Sequence, residues 1–252
     1  MSAITVPEIT SYIEQNIPDF HRRRLESLMA LKLRKVLRRK NPYLFKAKFV
    51  TSAPEIIKVL LDAHLSSQEE TIFGGFLEGL AVFICGRVFS GKKSSAEGID
   101  LEFDRDGIYY IVSIKSGPNW GNSSQIKKMR QNFIQAKRIL GTNTSTKNIV
   151  AVNGCCYGQM RIEDKRDYVK KCGQSFWSFI SGDSQFYTTI IEPLGHRAKE
   201  RNEEFQIEYG KVINCFTAEF IKDFCQIDGA ILWEKLVQFN SAIPIKTVRK
   251  KS

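Results

Sequence analysis

The stretch from Glu97 to Trp120, EGIDLEFDRDGIYYIVSIKSGPNW, constrains the fold most. Its first part alternates: Ile99, Leu101 and Phe103 are apolar, while Asp100 and Glu102 are acidic. Successive side chains of a strand point to opposite faces, so this is the pattern of a strand with one dry face. Asp106-Gly107 follows, then an apolar run from Ile108 to Ile114 that ends on Lys115. Asp-Gly between two such runs signals a hairpin. A two-residue loop pairs Arg105 with Ile108, and the same register sets Asp100 opposite Ser113 and Gly98 opposite Lys115. Directly opposed residues share a sheet face. Asp100, Ser113 and Lys115 are therefore predicted on one side, with the lysine diagonal to the acid. An acid and a lysine at a strand end, followed by Ser116-Gly117-Pro118-Asn119, are a poor way to end a core strand. They are a reasonable way to hold a metal ion beside a phosphate.

The second informative stretch is QEETIFGGFLEGLAVFICGRVF, residues 68–89. Phe73, Phe76, Leu77, Leu80, Ala81, Phe83 and Ile84 make a helix apolar nearly all round, which predicts burial. Glu78 sits inside it. A buried carboxylate needs a partner, either a cation such as Arg87 or a metal ion. Gly74, Gly75 and Gly79 surround it, and glycine weakens a helix by about 1 kcal/mol relative to alanine. Close approach of another element, such as the hairpin, would account for them.

The remaining chain is read from periodicity and turn signals. Residues 8–41 are helical and stop at Asn41-Pro42. The basic face of HRRRLESLMALKLRKVLRRK reads either as plain solvated surface, as a DNA phosphate contact, or as a membrane-surface helix. A helix from about Pro54 to His64 precedes the apolar one. Gly91 to Ser95 is a polar connector. After Lys115 a turn-rich segment leads into a basic helix, about Gln125 to Leu140, capped by Ser123 or Ser124. Asn148 to Val152 and then Cys155-Cys156-Tyr157 read as a further strand, RIEDKRDYVKKCGQ as a charged connector, and QSFWSFI as an aromatic core piece. Tyr187 to Ile191 enters a helix that Pro193-Leu194-Gly195 bends, HRAKERNEEFQIEY is helical, and Ala218 to Asn240 holds two helices around Asp228-Gly229. The tail IKTVRKKS is basic and predicted to be loose. Strand, strand, helix, strand predicts an α/β sheet packed by helices, with helical elaborations at both ends. One domain of 252 residues is expected: a helical region over 1–65, the catalytic core over 66–160 and a mainly helical region over 161–252.

The net charge of +11, from 38 basic and 27 acidic residues, points to a polyanionic partner. The six cysteines match no zinc spacing and read as buried thiols. No run reads as a signal peptide or a membrane span, so a soluble cytoplasmic protein without a membrane partner is expected.

Asp100 with Ser113-Ile114-Lys115 resembles the core of the PD-(D/E)XK nuclease superfamily. The strings KSGPNWGNSSQ, FWSFISGD and IIEPLGHRA are similar to PmeII-type type II restriction endonucleases, over roughly residues 20 to 210. The resemblance implies a restriction-endonuclease-like core with a mixed central sheet flanked by helices. It also implies Mg²⁺-dependent cleavage of double-stranded DNA at a short specific sequence. A homodimer and a cognate DNA methyltransferase acting on the same site come with it. Asp100 then ligates the metal, the backbone carbonyl of Ile114 is a further ligand, and Lys115 orients or helps deprotonate water. Ser116, Asn119, Trp120, Asn122, Ser124, Gln125, Lys127 and Lys128 are expected to face DNA. The second acid of the motif is replaced by Ser113, and no acid occurs from there to Ile162. The missing carboxylate must come from elsewhere: Glu78 ranks first, then Glu97, then Glu102. A repair or structure-directed nuclease, and a nucleic-acid-binding protein without catalysis, are the alternative functions.

Overall fold

The computed structural model describes residues 4–143, 148–161 and 163–243. Two compact units divide the chain, Met1–His21 with Glu70–Ala198, and Arg22–Glu69 with Lys199–Ser252.

The first unit holds a five-stranded sheet in chain order: β1 (Lys92–Lys93), β2 (Leu101–Arg105), β3 (Ile108–Lys115), β4 (Ile149–Cys155) and β5 (Val169–Cys172). The β1–β2 and β2–β3 pairs are antiparallel, and β3–β4 and β4–β5 are parallel, so the sheet is mixed. The predicted hairpin register holds, with Arg105 opposite Ile108 and Leu101 opposite Val112. Asp106 and Gly107 both have positive φ, 54° and 76°, as a type I′ turn requires. The parallel β3–β4 step needs a crossover, supplied by α5 (Ser123–Asn143).

One sheet face packs Leu101, Phe103, Val112, Ile114 and Val152 against the later half of α4 (Ala53–Phe89), part of α1 (Val6–Met29), and the aromatic α6 (Gln174–Ser181). The other packs Ile111 and Ala151 against Met129, Phe133 and Ala136 of α5. Ile99 departs from its expected place. It belongs to the α5 side rather than to the side of Leu101 and Phe103. The strand starts only at Leu101, and the turn at Gly98, with φ +72°, breaks the alternation before it.

Several predicted boundaries are corrected. The two helices expected over 54–64 and 68–89 are one 37-residue helix, α4. Ser66-Ser67 does not break it, because serine is only mildly unfavourable in a helix interior. That helix is long and apolar enough to pass for a membrane span by composition. Its apolarity is accounted for by burial: Ile56, Ile57, Leu60 and Leu61 lie in the core of the second unit, and Leu77, Leu80, Ala81 and Ile84 in that of the first. The helical stretch read over 8–41 breaks after Met29, and α2 (Leu33–Leu37) follows. Asn41 does not end it but caps α3 (Pro42–Ala47), its side chain accepting from Tyr43 N with Pro42 at the first helical position. The connectors read at 91–95 and 161–174 carry the short edge strands β1 and β5, which periodicity over two or four residues cannot announce. Short helices α7 (Phe186–Thr189) and α8 (Ile191–Leu194) follow α6.

The second unit is helical. Phe220 and Phe224 of α9 (Ala198–Phe224) and Leu236 of α10 (Trp233–Ser241) pack on α2, α3 and the first half of α4. The basic tail from residue 245 lies outside the described residues.

Candidate active site

The hairpin register brings the predicted pair together. Asp100 N donates to Val112 O at 2.8 Å, which fixes the acid at the mouth of β2. Its Oδ2 accepts from Ile114 N at 2.6 Å, and Ser113 Oγ lies 3.5 Å away. Lys115 Nζ is 3.6 Å from the same oxygen, both side chains being partly exposed. These contacts all fall on Oδ2.

Glu78 of α4 lies within electrostatic range of both Asp100 and Lys115. Burial raises its pKa, the negative charge of Asp100 raises it further, and Lys93 and Lys115 pull it back. The two carboxylates therefore feel each other. Burial, and after it the charge of Glu78, push the thiol of Cys156 up to about 12. The helix passes the end of β3 closely: a Cβ at Gly74 would stand 3.5 Å from Ser116 Cβ. Gly79 serves a different neighbour, Tyr12 of α1, and a Cβ at Gly75 would meet nothing within 4 Å. Only one of the three glycines thus lies against the hairpin. Arg87 is not the partner of Glu78; it pairs with Glu8.

The rival acids are committed elsewhere. Glu97 is exposed and pairs with Lys128 at 2.8 Å, which lowers its pKa. Glu102 is buried, lies 3.6 Å from Lys92 and hydrogen-bonds Tyr109, whose phenol is raised to about 12 by burial first and by the Glu102 charge and hydrogen bond next. Among the described residues no three His, Cys, Asp or Glu side chains form a metal cage. Asp100 and Glu78 form a pair of oxygen donors, which suits an ion that retains waters and takes one or two carboxylates. Their mutual repulsion, relieved by a cation between them, is a second reason the set fits a divalent ion.

Behind Lys115 stands a network that sequence reasoning missed. Asn153 of β4, opposite Ser113 and 1% exposed, donates through Nδ2 to Ser113 O at 3.2 Å. Its Oδ1 accepts from Trp120 Nε1 at 3.1 Å. The Trp120 ring in turn lies 5.5 Å from Lys115 Nζ, within cation–π range. A polar residue inside the run IVAVNGC was the available signal.

The residues expected to face DNA are spread around this corner. Ser116 Oγ is 3.5 Å from Glu70 Oε2. Asn122, rather than Ser123 or Ser124, caps α5: Gln125 N donates to Asn122 Oδ1 at 3.1 Å and Asn122 N donates to Gln125 Oε1 at 2.9 Å. This reciprocal arrangement is a capping box, so both side chains are partly spent on the helix. Asn119, Ser124, Lys127 and Lys128 are exposed. Trp120 is partly buried with its indole N–H committed to Asn153.

No curated protein matches the chain in sequence. A family profile does: that of type II restriction endonuclease EcoO109I, over residues 7–202. The match takes in α1, the whole sheet, both candidate carboxylates and Lys115. With more than three quarters of its length covered, the chain belongs to the EcoO109I family of type II restriction endonucleases.

Proposed function

We propose that this protein is a Mg²⁺-dependent type II restriction endonuclease that cuts duplex DNA at a specific short sequence, using PD-(D/E)XK-like chemistry with a displaced acid. The observation that carries the reading is Lys115 beside Asp100 at the strand end, with Glu78 in electrostatic range of both, in a chain of a nuclease family. Asp100 and Glu78 are the carboxylates that hold the ion, with the Ile114 carbonyl as a further donor. When bound, the ion offsets charge on the phosphate and lowers the pKa of a water. Ile114 N and Lys115 Nζ hold the Asp100 carboxylate in its orientation. Lys115 donates to the attacking water or to the phosphate oxygen and steadies the charge that develops there. The Trp120 face holds the lysine toward Asp100.

Membership of a type II restriction endonuclease family supports the reading of a palindromic site, which two-fold symmetry suits; we propose a homodimer, with a methyltransferase protecting the same site. Sedimentation of the free and DNA-bound protein tests the dimer, and a monomer in both states overturns it. The test of the activity is plasmid cleavage with and without Mg²⁺, with fragment ends sequenced. Discrete fragments that need the metal are expected. A smear sinks the site-specific reading in favour of a repair or structure-directed nuclease, and no cleavage leaves a binding protein.

A further inference from the structure

A second loop shares the sheet edge with Lys115, and nothing in the reaction uses it. β3 and β4 are parallel with Lys115 opposite Cys155, so both strands end at the same edge. Ligands of parallel sheets bind outside the carboxyl ends of the strands. The pairing continues past the strands, Cys156 N donating to Lys115 O at 3.0 Å and Tyr157 N to Ser116 O at 3.1 Å. The chain after Tyr157 is thus rooted on the lysine's own strand.

Its root is clamped. A Cβ on Gly117 would fall 2.3 Å from Tyr157 Cζ, so the tyrosine ring lies directly on that glycine. Gly158, at φ +95°, takes Pro118 in the same way, a Cβ there falling 2.6 Å from Pro118 Cγ. Lys170 Nζ donates to Pro118 O at 2.7 Å and holds the partner loop from the other side. Beyond the clamp, two of the three side chains are polar. Gln159 and Arg161 are exposed and have no protein partner among the described residues. They border an open groove of about 970 Å³ together with Tyr157, Met160, Gln174 and Tyr187. A loop held rigid before binding loses less entropy when it engages a ligand.

We infer that the Tyr157–Arg161 loop reads base sequence in duplex DNA, with Arg161 and Gln159 reaching base edges in the major groove. This rests on the nuclease reading of the adjoining corner. The chemistry is that of direct readout: arginine pairs two donors with guanine O6 and N7, and glutamine pairs bidentately with adenine N6 and N7. The reach is right as well. Gln159 is two residues past Tyr157 and Arg161 four, at most roughly 7 and 14 Å of chain. Base pairs are stacked about 3.4 Å apart. The loop therefore covers base pairs within a few steps of a phosphate at Lys115.

The test uses the full chain and a library of duplexes with a randomised central segment, sequencing both the bound fraction and the cut ends. The wild type is expected to enrich one motif. Arg161→Ala and Arg161→Lys should each lose preference for guanine at one position of it, by roughly 5- to 150-fold. Gln159→Ala should lose preference for adenine at another. Thermal unfolding should stay unchanged, since neither side chain is packed. Variants that enrich the wild-type motif overturn the inference. So does a uniform loss of affinity across all sequences with a shallower salt dependence, which marks Arg161 as a phosphate contact. A wild type that enriches no motif overturns it too. A wild type that enriches a motif without cutting sinks the nuclease reading and leaves the loop's role standing, provided the variants shift the motif.

Discussion

Lys115 and Glu78 are each asked to do one thing, and each role has its own signature. Lys115→Ala removes the cation beside Asp100 without touching the core, as the side chain is partly exposed. Cleavage should fall at least about 10²-fold, in the range set by loss of one electrostatic stabiliser, while DNA affinity stays within a few fold. Normal turnover by this variant would end the nuclease assignment at this corner. Glu78 carries a pKa raised by burial and by Asp100. A raised acid favours its protonated form in the fold, so its contribution to stability is full at low pH and is lost as pH rises through the folded pKa. At neutral pH the ionised Glu78 is therefore a burden on the metal-free fold. Glu78→Gln keeps the shape and removes the charge. It should raise the Tm of the metal-free protein at pH 7 to 8, and flatten its fall with rising pH. Mg²⁺ stabilises a state that binds it, so it should raise the Tm of the wild type and not that of Glu78→Gln. Cleavage should be lost in Glu78→Gln but only dented in Glu97→Gln or Glu102→Gln, whose carboxylates are paired elsewhere. A Mg²⁺-dependent Tm shift that survives in Glu78→Gln would refute the ligand assignment while leaving Lys115 in place.

At the scale of elements, β4 supports the site through one buried amide. Asn153→Ala leaves Ser113 O and Trp120 Nε1 without their partner. An unsatisfied buried group costs about 1–3 kcal/mol, so urea denaturation should show a loss of that order. Cleavage should drop more in Asn153→Ala than in Trp120→Phe, which keeps a ring beside Lys115 and loses only the N–H. Equal cleavage by wild type and Asn153→Ala would show that the network serves stability alone. The hairpin β2–β3 was legible in the sequence because its period, its Asp-Gly turn and its burial all agree. The paired positions of Asp100 and Lys115 followed from the turn alone. Glu78 stood out because a carboxylate in an apolar helix needs a partner. Other parts were hidden for physical reasons. A 37-residue helix feeding two cores has apolar residues on changing faces, so its single length was read as two helices. Two-residue β1 and four-residue β5 draw their stability from neighbouring strands rather than from their own pattern. Asn153 was signalled only as a polar residue in an apolar run, because its role depends on Ser113, forty residues away. The clamp at Gly117 and Gly158 likewise joins two loops that only the parallel β3–β4 pairing brings together.

At the scale of the whole molecule, the charge is unevenly placed. The unit of residues 22–69 and 199–252 has 21 basic against 12 acidic residues, and the unit holding the candidate site has 17 against 15. Between Glu26 and Glu55 there are eight basic residues and no acid. Some of them have local employment. Arg34 pairs with Asp223 at 2.6 Å and, with Arg38, lies over the Phe239 ring, and Lys46 lies over Trp233. Lys32, Lys35 and Arg39 are exposed, and burial, then Lys40 and Arg39, lower the pKa of His64. Stability does not call for such a like-charge cluster, because self-repulsion opposes the fold. A polyanion does. Each phosphate neutralised releases counterions, so the logarithm of affinity falls with the logarithm of salt by about 0.9 per contact. If these three side chains face the DNA backbone, Lys32→Gln, Lys35→Gln and Arg39→Gln together should make that slope shallower by about 2 to 3. Affinity should weaken equally for all sequences, and the turnover of saturating DNA should stay at the wild-type rate, since no residue of the candidate site is changed. Titrations of the triple variant and the wild type across salt concentrations measure both. A slope equal to that of the wild type would remove the helical unit from the DNA path and return the electrostatic work to Lys127 and Lys128 of α5.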